Sequence, residues 1–225
     1  MIYSRFIFIL ILWVLFSSGT KSQSISSGQY ILSAQEKKEG FKVLFDGTSM
    51  EGWIDPQDQY YLRDGAIVKK PTKNGNLYSQ NEYKDFVFRF EFQLTPGSNN
   101  GVGIRHKLFE GERGYDGMEL QILDNDAPVY RHLKPAQYHG SLYTLFPAER
   151  KGMKAVGEWN EQEVKVKGTR IRITLNGEVI LNCDMADLSK EQLEKRKVLT
   201  YEKGHIAFLG HDTEVMFRNM RIKEL

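Results

Sequence analysis

The chain has 225 residues, 40% of them hydrophobic and 12% aromatic, with 31 basic against 29 acidic side chains and a formal net charge of +2. That length and apolar content suit one domain with a sizeable core, and the near balance of charge points to neither nucleic acid nor a membrane surface as partner. The lone Cys183 excludes an internal disulfide, and in its strand pattern it reads as a small buried hydrophobe.

Residues 1–23 have the form of a secretory signal. Arg5 supplies the positive charge, 6–16 is an unbroken apolar run, and 17–22 is rich in small residues suited to cleavage after Gly19 or Ser22. The run is shorter than the roughly 20 residues of a spanning helix; an uncleaved N-terminal anchor is the alternative. No Cys follows the run, which argues against a lipoprotein, so a periplasmic or secreted location is expected. Residues 24–39 are polar and charged, a tether or short docking arm. The domain proper is expected over 40–225.

Strands follow in order. Residues 41–45 form one, turned by Asp46-Gly47; Trp53 and the Asp55-Pro56 turn come next. Residues 60–63 and 66–69 flank Asp64-Gly65, a strong hairpin signal, and Asn74-Gly75 is the next turn. In 84–94, Phe86, Phe88, Phe90, Phe92 and Leu94 share one face, a core seam. In 101–106 alternation puts Val102 and Ile104 inward and Gly103 and Arg105 outward, the glycines leaving room above the sheet for a ligand or another backbone.

The stretch 114–126, Gly-Tyr-Asp-Gly-Met-Glu-Leu-Gln-Ile-Leu-Asp-Asn-Asp, organises the rest. Met118, Leu120 and Ile122 share a greasy face; Glu119 and Gln121 share the other, with Asp124 and Asp126 where the strand runs out. A carboxylate beside a carboxamide suggests a polar floor for a ligand rich in hydroxyls, although an ordinary solvated sheet face has the same pattern. Residues 135–143 enter a short strand, and 161–167 alternate. Ile171, Ile173 and Leu175 lead into Asn176-Gly177, with Val179, Leu181 and Cys183 leading away. Asp187 or Ser189 can cap a short surface helix running to Lys197, Ser189 and Gln192 forming a capping box. Residues 205–209 and 215–222 close the chain. About a dozen strands, one short helix and no βαβ spacing predict an all-β antiparallel sandwich.

Phosphate loops, Cys/His metal spacings and nucleophile elbows are absent from the sequence, so any chemistry must use His, Asp, Glu, Arg and Tyr. His211, in Gly210-His211-Asp212 at a strand end, and His139, followed by Gly140 and then Tyr143, are candidates. A conventional glycosidase needs two flanking carboxylates; Glu119 has only the amide of Gln121 beside it, and Asp124 and Asp126 could join only by curling back.

The ordered motifs 43–47 with Gly52-Trp53, 99–105, 115–124, 140–143, 157–160, 175–177 and 210–225 resemble the 3-keto-disaccharide hydrolase domain family over nearly all of 40–225. The resemblance implies a concanavalin A-like jelly-roll sandwich of two antiparallel sheets. It also implies an exported enzyme acting on keto-sugars made by a partner sugar oxidoreductase. The implied chemistry is deprotonation at C2, elimination of the C1 group and hydration, which needs a base, an oxyanion stabiliser and a leaving-group acid. Carried over by position, Arg105, Glu119 and Gln121 line the concave face. Arg105 stabilises the enolate or forms an ion pair with Glu119, Glu119 is base, acid or hydroxyl clamp, and His211 is the foremost base or acid. Tyr143 donates a proton or stacks on a sugar, Asp124 orients a partner or ends its strand, and His139 is a further substrate-binding candidate that matches the family pattern less firmly. No cofactor is fixed; carboxylate and histidine clusters would suit a divalent cation, but the spacings demonstrate none. A non-catalytic carbohydrate-binding module and a conventional glycoside hydrolase on the same scaffold are the competing expectations.

Overall fold

The computed structural model describes residues 29–108 and 116–225. The expected signal at 1–23, residues 24–28 of the expected tether and residues 114–115 of the 114–126 stretch lie outside the described residues. The elements are α1 (Ala34–Glu39), β1 (Lys42–Phe45), β2 (Trp53–Ile54), β3 (Tyr60–Arg63), β4 (Ala66–Lys69), β5 (Gly75–Tyr83), β6 (Phe86–Leu94), β7 (Asn99–His106) and β8 (Met118–Leu123). After them come β9 (Trp159–Lys167), β10 (Arg170–Leu175), β11 (Glu178–Asp184), α2 (Lys190–Lys195), β12 (Gly204–Gly210) and β13 (Val215–Glu224).

They form two antiparallel sheets. One has eight strands in the order β11-β10-β9-β6-β13-β4-β3, with β1 also on β13; the other has five, β2-β5-β12-β7-β8. The phenylalanine seam of β6 turns inward as its alternation demands, and Phe86, Phe88, Phe90 and Phe92 are wholly buried. Opposite them, Phe208 of β12 stacks on Phe217 of β13 at 3.8 Å. Val102, Ile104, Leu120 and Ile122 complete this layer from the smaller sheet. Each such side chain contributes roughly 1.5–3 kcal/mol on burial, so the core holds the sandwich without a disulfide.

The segment read as a tether is partly structured. Ser33 and Glu36 make a reciprocal capping box that starts α1, and Gly40 ends it with φ +87°. The helix docks on the outer face of the eight-stranded sheet, where the Arg221 guanidinium donates to Glu36 at 2.7 Å and also meets Glu161. Arg89 with Glu163 and Arg218 with Glu91 extend this ionic layer. The predicted capping box at Ser189 and Gln192 forms too, but α2 ends at Lys195. With one outer face crossed by α1, the five-stranded sheet offers the other for a ligand.

Candidate active site

The outer face of the five-stranded sheet is organised by one row of paired residues. Glu119 of β8 pairs with Gly103 of β7, Gly103 with Ala207 of β12, and Ala207 with Tyr78 of β5. The two middle members are small, so a low floor separates Glu119 from Tyr78. Three interstrand spacings set their backbones about 14 Å apart. Beside this row, Gln121 donates through Nε2 to the Asn99 side chain at 2.7 Å, and Asn76 donates to the Tyr78 hydroxyl at 2.9 Å.

Glycines bring polar side chains down onto this floor. A Cβ on Gly101 would strike the Glu119 carboxylate, and one on Gly103 or Gly117 would strike the His106 ring. The room that the glycines leave above the sheet is therefore taken by the protein's own carboxylate and imidazole. Glu119, Gln121 and His106 are all buried, His106 completely. Burial pushes the His106 pKa down to about 4 against the weaker pull of a hydrogen bond to the Met118 backbone. The ring is neutral at pH 7. Burial likewise raises the Tyr78 pKa, so its phenol keeps its proton.

Alternation alone would have sent His106 into the core. The chain instead carries an extra residue between Gly103 and His106 relative to the Ala207–His205 span of β12, with Arg105 at φ +55°. This bulge moves His106 to the outer face and corrects the expected outward place of Arg105. The Arg105 side chain is buried, donating to the carbonyls of Gly168 at 2.6 Å and Tyr201 at 3.1 Å, beside Asp85 at 3.8 Å. Its fork is committed to turns at the sandwich rim rather than to Glu119 or a substrate oxygen. His205 sits next to His106 in register, its Nδ1 2.7 Å from the Ser79 carbonyl and its Nε2 3.9 Å from Glu82. Glu82 is held by Lys107 at 2.9 Å, which draws its carboxyl below the usual range.

The remaining sequence candidates separate. Glu119 and Gln121 share the outer face as expected. Tyr143 adjoins Glu119: its backbone N–H donates to the Glu119 carbonyl at 2.9 Å, and its hydroxyl receives the Gln137 amide at 2.9 Å. Asp124 accepts from the Gly97 backbone N–H at 2.8 Å and ties the preceding turn to the end of β8, the strand-ending role. His139 lies in the core, stacked on Phe92 with ring centroids 5.2 Å apart, and burial pushes its pKa to about 4; it does not face a ligand. His211 follows β12 at the end away from His205, where burial lowers its pKa against the opposing pull of Asp212. It lies four residues beyond Ala207, about 13 Å along the strand from the Glu119 row. Among the described residues no three His, Cys, Asp or Glu side chains gather as metal ligands would, so the residues present do not fit the divalent cation considered above and no step is built on one. Sequence reasoning missed Tyr78, Asn76, His106 and His205.

A two-sheet antiparallel sandwich is the architecture of the lectin-like jelly rolls, and the fold comparisons agree. A winged bean acidic lectin, solved with methyl-α-D-galactose, superimposes with TM-score 0.51 at 14% identity, covering 79% of this chain and 93% of the lectin. A Parabacteroides distasonis ATCC 8503 protein with a provisional glycosyl hydrolase description superimposes with TM-score 0.75 at 21% identity, covering 88% of this chain and all of that one. Residues 40–223 match the 3-keto-alpha-glucoside-1,2-lyase-like domain, and the chain belongs to that family. A 3-keto-disaccharide hydrolase of Bacteroides thetaiotaomicron is 26% identical over 256 residues, covering 94% of this chain and 86% of the relative.

Proposed function

We propose that this chain cleaves 3-keto-glycosides by C2 deprotonation and elimination of the C1 substituent, with water then adding to the enone. The chain is an enzyme that acts on glycosidic bonds, as its family and its Bacteroides relative indicate. The observation that carries the finer reading is the single Glu119 carboxylate beside the neutral His106 on a glycine floor. Paired-carboxylate hydrolysis needs a second acid across the bond, whereas Gln121 and Asn99 hold each other's amides, Asp124 is bonded to a backbone N–H and Glu82 is paired with Lys107. Elimination from a ketone needs only a base, a hydrogen-bond donor to the developing enolate and a route for the proton to the leaving oxygen.

Glu119 takes the C2 proton, and the C–H electron pair forms the enediolate. The Tyr78 hydroxyl, oriented by Asn76, donates to the C3 oxygen. The Glu119 carboxylic acid then returns its proton to the oxygen leaving C1, with the neutral His106 ring packed beside it under the floor. Gln121 and Asn99 clamp sugar hydroxyls. The ketone must be made by a sugar-oxidising enzyme, and the apolar leader fits export to the periplasm or beyond.

The test is release of 4-nitrophenol from the 3-keto derivative of 4-nitrophenyl glucoside against the unoxidised glucoside. Cleavage of the keto compound alone, lost in His106→Gln and Glu119→Gln, supports elimination. Cleavage of both compounds would sink it in favour of conventional hydrolysis, and binding without any product would leave a carbohydrate-binding module.

A further inference from the structure

Next to Glu119, where the 140–143 segment pairs with the edge of β8, lies a cavity of about 540 Å³. One wall is the segment after Leu142, which turns back where Thr144 takes φ +62° and its N–H donates to the Ala136 carbonyl at 2.7 Å. The other wall is the chain leaving α2. We infer that this cavity is the leaving-group subsite and that it takes an aromatic alcohol, a phenol-type aglycone, in preference to a second sugar. The inference rests on the keto-glycoside reading of the neighbouring floor and specifies its substrate class.

Three features of the cavity carry this. It shares Glu119 with the floor, and Tyr143, which also lines it, donates its backbone N–H to the Glu119 carbonyl at 2.9 Å. Its walls are Met118, Leu142, Leu145, Val198 and Leu199, surfaces that match a flat apolar ring but leave the hydroxyls of a sugar without partners. The polar groups present are already engaged: the Thr144 hydroxyl donates to the Tyr143 carbonyl at 2.6 Å and receives Arg196 at 2.8 Å, and Tyr143 holds Gln137. The rim is cationic, with Lys195, Arg196 and Lys197 in sequence. Elimination throws negative charge onto the departing oxygen, and a phenolate, being both flat and anionic, suits an apolar slot under a positive rim.

The test compares 4-nitrophenyl 3-keto-glucoside with a 3-keto-disaccharide, using Val198→Asn and Lys197→Ala. The wild type is expected to prefer the aryl compound. Each variant is expected to lower kcat/KM for that compound by about tenfold, mostly through KM, and to lower it for the disaccharide by clearly less. Equal losses on both substrates, or none, would overturn the subsite. Binding of free 4-nitrophenol, measured by calorimetry, reads the cavity without turnover. It should survive His106→Gln and weaken in Val198→Asn; no binding to the wild type would overturn the inference. Binding that persists in a protein that turns over no keto-glycoside would defeat the proposed function but uphold the aromatic site.

Discussion

Two histidines make a prediction about acid stability that is independent of catalysis. Burial pushes both His106 and His139 to about 4, where an unfolded chain would have the ordinary 6.5. The unfolded state therefore binds protons that the folded state refuses. Stability is full above pH 6.5, falls as pH drops from 6.5 towards 4, and levels off below that. At 1.36 kcal/mol per unit of differential binding, each ring loses about 1.5 kcal/mol between pH 6.5 and 5, about 3 kcal/mol together. His211, lowered in the same direction by burial, adds to the slope. The carboxyls held below their usual range, such as Glu36 and Asp184, give up their contribution only near and below their unfolded values, outside this window. Urea unfolding at half-unit steps from pH 7.5 to 5 measures the slope. His139→Leu should keep the stack against Phe92 apolar and remove about half of the slope, whatever it does to stability at pH 7.5. A flat profile, or an unchanged slope in that variant, would refute the argument.

Other consequences follow from the same geometry. Arg105→Lys cannot reproduce the fork onto Gly168 and Tyr201; it should cost about 2 kcal/mol of stability and, by loosening the bulge that places His106, lower kcat on a keto-glycoside at 25 °C with KM little changed, which melting and kinetic assays read separately. Gly103→Ala drives a methyl group into the His106 ring and Ala207; kcat on a keto-glycoside should fall by roughly a hundredfold, more than the shift in Tm accounts for. Glu36→Gln removes one of the two carboxylates on Arg221 and leaves Glu161 in place; it should cost about 1–2 kcal/mol, with faster tryptic cleavage at Lys37 and Lys38 as the direct readout.

How far the sequence revealed this molecule depended on how local the determining physics was. The β6 phenylalanines and the Met118–Leu123 strand follow from alternation, which is a property of the strand itself, and they placed the core and the Glu119–Gln121 floor correctly. The capping rule found α2 through Ser189 and Gln192; the same spacing at Ser33 and Glu36 was present, but the polar composition of 24–39 spoke for a tether, and the Arg221 ion pair that holds α1 down is 185 residues away in sequence. Strand β5 went unread between Asn74-Gly75 and Lys84 because Asn-Leu-Tyr-Ser-Gln-Asn-Glu is mostly polar, and with it went Tyr78. Its polarity comes from facing the floor rather than the core.

The exchange of Arg105 and His106 is the deeper case. Alternation assigns Arg105 to the floor and His106 to the core, and the family resemblance reinforced that assignment. What reverses it is a count made between strands: three steps of β7 from Gly103 to His106 stand opposite two steps of β12 from Ala207 to His205. An arginine at positive φ gives no local sign of such a bulge, since glycine or asparagine would be the expected residue there. The unfavourable conformation is held by the three turns that the guanidinium ties together, so the buried Arg105 fork and the outward His106 ring are two ends of one device. In the proposed reading Arg105 therefore acts as the anchor of the bulge that carries the imidazole to the outer face, with its fork bonded to the Gly168 and Tyr201 carbonyls.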